Sequence, residues 1–387
     1  MKDKVLDLHR KHQGKLRISP TMEIHHQDDL SMAYTPGVAY PCLEIVKDQT
    51  KAYDYTIKGK TVGIFTDGSA VLGLGNIGPL ASLPVMEGKS LLLHQFSGVQ
   101  AYPLALDTQD ENKIIEHIKL LAPNFSAIML EDISAPRCVH IENILQRELD
   151  IPVFHDDQHG TAIVVSAALM NALKIVGKDM VDIKVLVCGL GAAGSAIIKL
   201  LSHLGIDHIE GYDLMGVVSQ DKYDQYNDVI QSLIDQKQLK TNDHVTDLKD
   251  LIRDKDVFIG VSAKNILTKD MVATMNQDPI IFAMANPDPE ISPDDAKEAG
   301  AKIIGTGRSD YPNQINNVLV FPGLMKGILA AKAKTITNDM KVSAAKAIAK
   351  LVPENDLSDQ HILPNIFNHS VVDAIEEAII KAVKKDS

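Results

Sequence analysis

Positive charge is the first thing this chain is short of. Across 387 residues, 39 Lys and Arg face 51 Asp and Glu, a formal net charge of −12. That argues against nucleic acid or an anionic membrane as partner, since both need a basic surface. Cysteine is scarce too. Cys42, Cys138 and Cys188 are odd in number, far apart and without a C-x-x-C pair, which speaks against a disulfide framework or a thiolate metal site. The opening MKDKVLDLHRKHQGK has no apolar stretch of the signal-peptide kind, so a cytoplasmic protein is expected. The longest apolar run, TAIVVSAALMNALKIV (161–176), is interrupted by Ser166 and Asn171. It falls short of the roughly 20 apolar residues of a membrane span and predicts a buried helix. Repeats and low-complexity tracts are absent. Hydrophobic content of 45% and charged content of 23% are ordinary for a soluble globular chain, and the length predicts two domains.

What is present is a change of rhythm. Up to about residue 157 the chain mixes irregular and helical segments with the strands TVGIF (61–65), SAIMLED (126–132) and IPVFHDD (151–157). ENKIIEHIKLLA (111–122) has the spacing of an amphipathic helix. Beyond about 160 a long apolar helix leads into IKVLVCG (183–189), and strands at 256–262, 279–286 and 301–307 alternate with helical stretches. That alternation predicts a doubly wound parallel α/β sheet. The tail from about 323 to 386 reads as helical.

Two segments carry G-x-G-x-x-G: Gly73, Gly75 and Gly78, then Gly189, Gly191 and Gly194. Only the second has the context of a dinucleotide loop. KVLVC leads in, a helix follows Ala192 and Ala193, and Asp213 closes the next strand 19 residues past Gly194. A carboxylate there can accept both ribose hydroxyls and repels a 2′-phosphate, while Leu214, Met215 and Gly216 bring no Lys or Arg; NAD is therefore expected over NADP. The first loop has no such acid, and Pro79 and Pro84 are expected to keep a long uninterrupted helix from opening on Gly78.

Glu131-Asp132 and Asp156-Asp157 each end a buried strand, where carboxylates suit Mg²⁺ or Mn²⁺, although strand-end acids also serve as caps. Neighbours on a strand point to opposite faces, so both acids of a pair reach one ion only if the strand has given way to a turn. His155 and His159 in HDDQH have zinc-helix spacing, but the strand before them and Gly160 after them favour a supporting role. Lys89 stands before an apolar run and Tyr34 on a Pro-Gly turn; spacing alone assigns neither.

Taken together, AYTPGVA (33–39), TDGSAVLGLGNIG (66–78), PVMEGK (84–89), LEDI (130–133), FHDDQHGTA (154–162), GLGAAG (189–194), MANPDPE (284–290) and NQINNVLVFPG (313–323) resemble the malic enzymes, specifically the short bacterial form. The resemblance implies metal-dependent oxidative decarboxylation of (S)-malate to pyruvate and CO₂ with reduction of NAD⁺. It implies Glu131, Asp132 and Asp157 as ligands of Mn²⁺ or Mg²⁺, and Asp156 as an acid organising the site. Lys89 matches the general base, Tyr34 the general acid, and Asn286 and Asn317 bind malate, Asn286 also facing the cofactor. On this reading desolvation and the nearby cation keep Lys89 neutral. Larger malic enzymes carry an arginine before the L-G-L-G run; here Ser69 and Ala70 stand there, leaving loop amides or the two asparagines to hold the carboxylate.

The expected layout is a substrate and metal domain over 1–157, a Rossmann-like NAD-binding domain over 158–315, and a C-terminal helical segment, 316–387, packing back on the substrate domain. A homodimer is expected. The alternatives are malolactic conversion of malate to lactate with retained NAD, and a metal-independent NAD-dependent hydroxy-acid dehydrogenase.

Overall fold

Aliphatic and β-branched runs bounded by Gly, Pro or acids build the strands, and the computed structural model, which describes residues 1–71 and 73–386, sorts them into two sheets. Leu72 of the LGLGNIG loop and Ser387 lie outside the described residues. The first sheet holds β1 (Thr61–Thr66), β2 (Gln100–Ala105), β3 (Ala127–Leu130) and β4 (Val153–His155), all parallel in the order β2-β1-β3-β4. No strand was expected at β2, which contains Pro103; an edge position lets proline into a strand.

The second sheet holds β5 (Lys184–Cys188), β6 (His208–Asp213), β7 (Gly216–Val217), β8 (Val257–Gly260), β9 (Ile280–Ala283) and β10 (Ile303–Thr306). Their order is β10-β9-β8-β5-β6-β7, with only the two-residue β7 antiparallel. The chain steps from β5 to β6 on one side and to β8, β9 and β10 on the other. The carboxyl ends of β5 and β8 therefore form the switch point where an open α/β sheet takes its ligand. This is the doubly wound sheet that the strand–helix alternation predicts.

Two expectations need correcting. A 20-residue helix, Gly78–Ser97, does open on Gly78. Pro79 lies in its first turn, where an N–H has no partner to lose, and Pro84 removes a single bond from a long helix. IPVFHDD is not a strand to its end: β4 stops at His155, and the helix Asp156–Val176 begins with the acids themselves.

That second helix is apolar enough to cross a membrane by composition, but 67% of its apolar window is buried inside the protein, the setting of a core helix. Asn171 interrupts its apolar face for a reason: its Nδ2 donates to the carbonyls of Ala349 and Ile362, both at 2.9 Å, tying down the C-terminal segment. The tail is helical in three pieces, Phe321–Ala331, Asn338–Lys350 and Ser370–Asp386, broken by a largely irregular stretch around Pro353 and Pro364. Residues 1–60 contain no buried residue at all.

Candidate active site

The acids of the first sheet converge because regular structure ends where each pair begins. β3 stops at Leu130, and Asp132 takes φ 55°, left-handed backbone that breaks the alternation of a strand. Asp157 lies in the first turn of Asp156–Val176, where the helix dipole favours a carboxylate, and its Oδ2 accepts from the Asp132 amide at 2.8 Å. One carboxylate oxygen from each of Glu131, Asp132 and Asp157 lies within 4.8 Å of the others. Glu131 Oε2 and Asp156 Oδ1 are buried without a hydrogen-bond partner among the described residues. Hard oxygen donors this close, with an orphaned acceptor among them, fit Mn²⁺ or Mg²⁺ and do not fit a soft metal.

Lys89 comes from the middle of Gly78–Ser97. Its Nζ makes a short contact with Asp156 Oδ2, lies 3.0 Å from Glu131 Oε1, and stands 4.5 Å from the centre of the Phe321 ring. Burial opposes its charge, but Asp156, Glu131 and Asp157 outweigh that and hold its pKa well above the ordinary lysine value. Without the charge of a cation these carboxylates hold Lys89 as an ammonium; the expectation of a neutral Lys89 includes that charge and stays an expectation. Burial raises the pKa of Glu131 and Asp156; Lys89 pulls both down and the neighbouring acids push both up.

The first glycine loop belongs to this site. The Ala70 amide donates to the Asp132 carbonyl at 2.9 Å, and a Cβ built on Gly73 would lie 3.3 Å from the Asn286 carbonyl. Gly73, Gly75 and Gly78 all have φ between 71° and 77°, which glycine alone adopts freely. Sequence reasoning missed Arg137, whose Nη2 donates to Asp67 Oδ2 (2.8 Å), Ser69 Oγ (2.9 Å) and Ser134 Oγ (3.0 Å), locking the start of the loop. Asn317 is beside the acids: a Cβ on Gly160 would meet both Asp156 Oδ1 and Asn317 Cβ. Tyr34 is not brought in. It caps the helix Gln27–Ala33 with 66% of its surface exposed, and its hydroxyl bonds to no described residue.

At the second sheet the glycines have separate steric reasons. A Cβ on Gly194 would lie 1.8 Å from the Gly189 carbonyl, and one on Gly189, φ 92°, would lie 2.6 Å from that of Val261 at the end of β8. Gly191, before the helix Ala192–His203, opens on free space. Asp213 ends β6 with Leu214 fully exposed beside it. Lys222, seven residues beyond Met215, places Nζ 2.7 Å from the Met215 carbonyl, so a cation does approach this loop after all.

The family description "Malic enzyme, N-terminal domain" matches residues 13–146, and "Malic enzyme, NAD binding domain" matches 158–385. The chain is 53% identical over 384 residues to the bifunctional malic/malolactic enzyme of Bacillus subtilis, covering 99% of this chain and 93% of that one. It is 51% identical to the NAD-dependent malic enzyme of Geobacillus stearothermophilus, covering 95% and 76%. The crystal structure of a malic enzyme from Pyrococcus horikoshii superposes with a TM-score of 0.94 at 42% identity, over 100% of this chain and 91% of that one. The acid cluster beside a buried lysine and the NAD loop at the switch point thus sit in a chain that belongs to the malic enzyme family, as an NAD-dependent member.

Proposed function

We propose that the protein converts (S)-malate to pyruvate and CO₂, reducing NAD⁺, with Mn²⁺ or Mg²⁺ held by Glu131, Asp132 and Asp157. The observation that carries this is the set of three carboxylate oxygens within 4.8 Å next to a buried lysine. When bound, NAD supplies the hydride acceptor and the divalent cation supplies Lewis acidity toward the substrate oxygens. The chain does the rest. Lys89 Nζ passes its proton to Asp156 Oδ2, with which it is in contact, and takes the proton of the C2 hydroxyl. The C2 hydrogen leaves with its electron pair, the C3–C4 bond breaks to release CO₂, and C3 takes a proton; Tyr34, exposed in this chain, supplies it only if a second copy of the chain brings that face to the site. Asn286, Asn317 and the amides of the first glycine loop bind the malate carboxylates, and the Phe321 ring excludes water from Lys89.

Tyr34 lies on the unburied first 60 residues, among exposed Met32, Val38, Tyr40 and Val46. A homodimer covering this face, in the cytoplasm, is part of the proposal. Malolactic conversion is the second reading, favoured by the name of the Bacillus subtilis relative. EDTA should abolish NADH formation from malate and added Mn²⁺ restore it; turnover indifferent to EDTA would favour a metal-free dehydrogenase instead.

A further inference from the structure

Glu142 belongs to none of the groups above. It lies on the helix Arg137–Glu148, is 2% exposed, and its two oxygens accept three hydrogen bonds, all from one five-residue segment. Oε1 accepts from the His155 amide at 2.9 Å; Oε2 accepts from Gln158 Nε2 at 3.1 Å and from His159 Nε2 at 2.9 Å. These donors flank Asp156 and Asp157 on both sides and include neither. On its far side His159 is held in turn: Lys341, buried on Asn338–Lys350, places Nζ 3.1 Å from His159 Nδ1. The pattern fixes the protons. Neutral His159 donates from Nε2 to Glu142 and accepts at Nδ1 from the Lys341 ammonium.

An ionised carboxylate deep in a protein costs several kcal/mol unless it is paired and its lone pairs are used. Apolar residues could hold two helices together without that cost. What they could not do is fix, by directional bonds, the rotation of the junction between β4 and the helix Asp156–Val176. That rotation decides where the two acids point. The helix start has no side-chain cap of its own, since His155 makes none.

We propose that Glu142 is a positioning residue that sets the HDDQH turn so that Asp157 meets Glu131 and Asp132 and Asp156 meets Lys89, with Lys341 steadying it through His159. The proposal rests on the metal reading above. It makes the C-terminal segment part of the metal site, although none of the described residues of that segment is a candidate ligand.

The test is Mn²⁺ binding to the full chain without malate or NAD, read from the electron paramagnetic resonance of free Mn²⁺, alongside thermal unfolding. In Glu142→Gln, an NH₂ replaces an acceptor oxygen opposite Gln158 and His159, and the Mn²⁺ Kd should rise about tenfold or more. Lys341→Met keeps the buried stem and should raise the Kd in the same direction by roughly threefold, deciding the matter if Glu142→Gln fails to fold. Glu148→Gln, exposed on the same helix, should leave it unchanged. Folded variants with Kd values within about twofold of wild type, whatever their melting temperatures, would overturn the proposal and leave Glu142 a plain core contact. A wild-type chain that binds no Mn²⁺ would overturn the metal reading itself, and this proposal with it.

Discussion

Gly160→Ala separates the chemistry of the site from the stability of the fold. Gly160 lies inside the helix Asp156–Val176, where alanine is favoured over glycine by about 1 kcal/mol. A Cβ there would stand 2.1 Å from Asp156 Oδ1 and 3.1 Å from Asn317 Cβ, against ordinary contacts of 3.4–4 Å. The Asp156 carboxylate must therefore move by about an ångström and leave Lys89, since the helix backbone cannot. Overpacking of this kind costs roughly 1–3 kcal/mol, so the gain in helix propensity offsets much of it and the melting temperature should fall only a little. Activity should fall much further. A catalytic group misplaced by about 1 Å can cost on the order of 10²-fold, and kcat for malate oxidation should drop by about that much. The assay is NADH absorbance under saturating malate, NAD⁺ and Mn²⁺, with thermal unfolding on the same samples. Gly88→Ala is the control: it neighbours Lys89 on Gly78–Ser97, nothing lies within 4 Å of its Cβ, and it should keep its activity. A Gly160→Ala enzyme with kcat within about threefold of wild type would refute the reasoning, because it would mean that Asp156 need not hold its place.

Further outcomes follow from the same geometry. Gly194→Ala, whose Cβ would lie 1.8 Å from the Gly189 carbonyl, should raise the KM for NAD⁺ at least about tenfold and barely move that for malate; the reverse pattern would return the first glycine loop to the nucleotide. Burial lowers the pKa of Lys341 from 10.5 to about 8; Glu142 pulls it up and Lys199 pushes it down, with the neutral His159 ring against it. The unfolded chain therefore holds this proton up to a higher pH than the folded one, so the term makes stability rise between pH 8 and 10.5. Denaturant unfolding of wild type against Lys341→Met should show a difference growing by about 2 kcal/mol from pH 8 to 9.5; parallel curves would contradict it. Val46→Asp, on an exposed apolar stretch of the helix Ala39–Lys47, should give a monomer by light scattering if a second copy covers this face, and an unchanged mass would count against that surface.

Much of this was legible in the sequence where the physics is local. The Gly189–Gly194 turn needs a strand, a helix and three glycines within a few residues, and Gly194 has its steric reason in that turn, although the one for Gly189 comes from Val261, far along the chain. The strand-end acids were legible as acids. Their convergence was not, because it depends on the left-handed Asp132 and on a helix beginning one residue after β4. Lys89 is legible as a candidate but its partners are not, since Asp156, which it touches, lies 67 residues along the chain. Pro84 was read as a helix breaker because packing against the rest of the fold leaves no local trace. Glu142 and Lys341 were invisible for a related reason: a charge in an amphipathic helix reads as a solvated face until a second helix is laid over it. Lys222 was within reach of a longer look past Asp213, since it folds back on Met215 from only seven residues on.

The central claim is that malate is oxidised by NAD⁺ and loses CO₂ in one site, the one built by these carboxylates and Lys89. The measurement that tests it most directly is the ratio of NADH to pyruvate formed from (S)-malate with Mn²⁺ present. The account predicts one NADH for each pyruvate. Lactate accumulating without net NADH would contradict it and show that the cofactor is retained through a malolactic cycle.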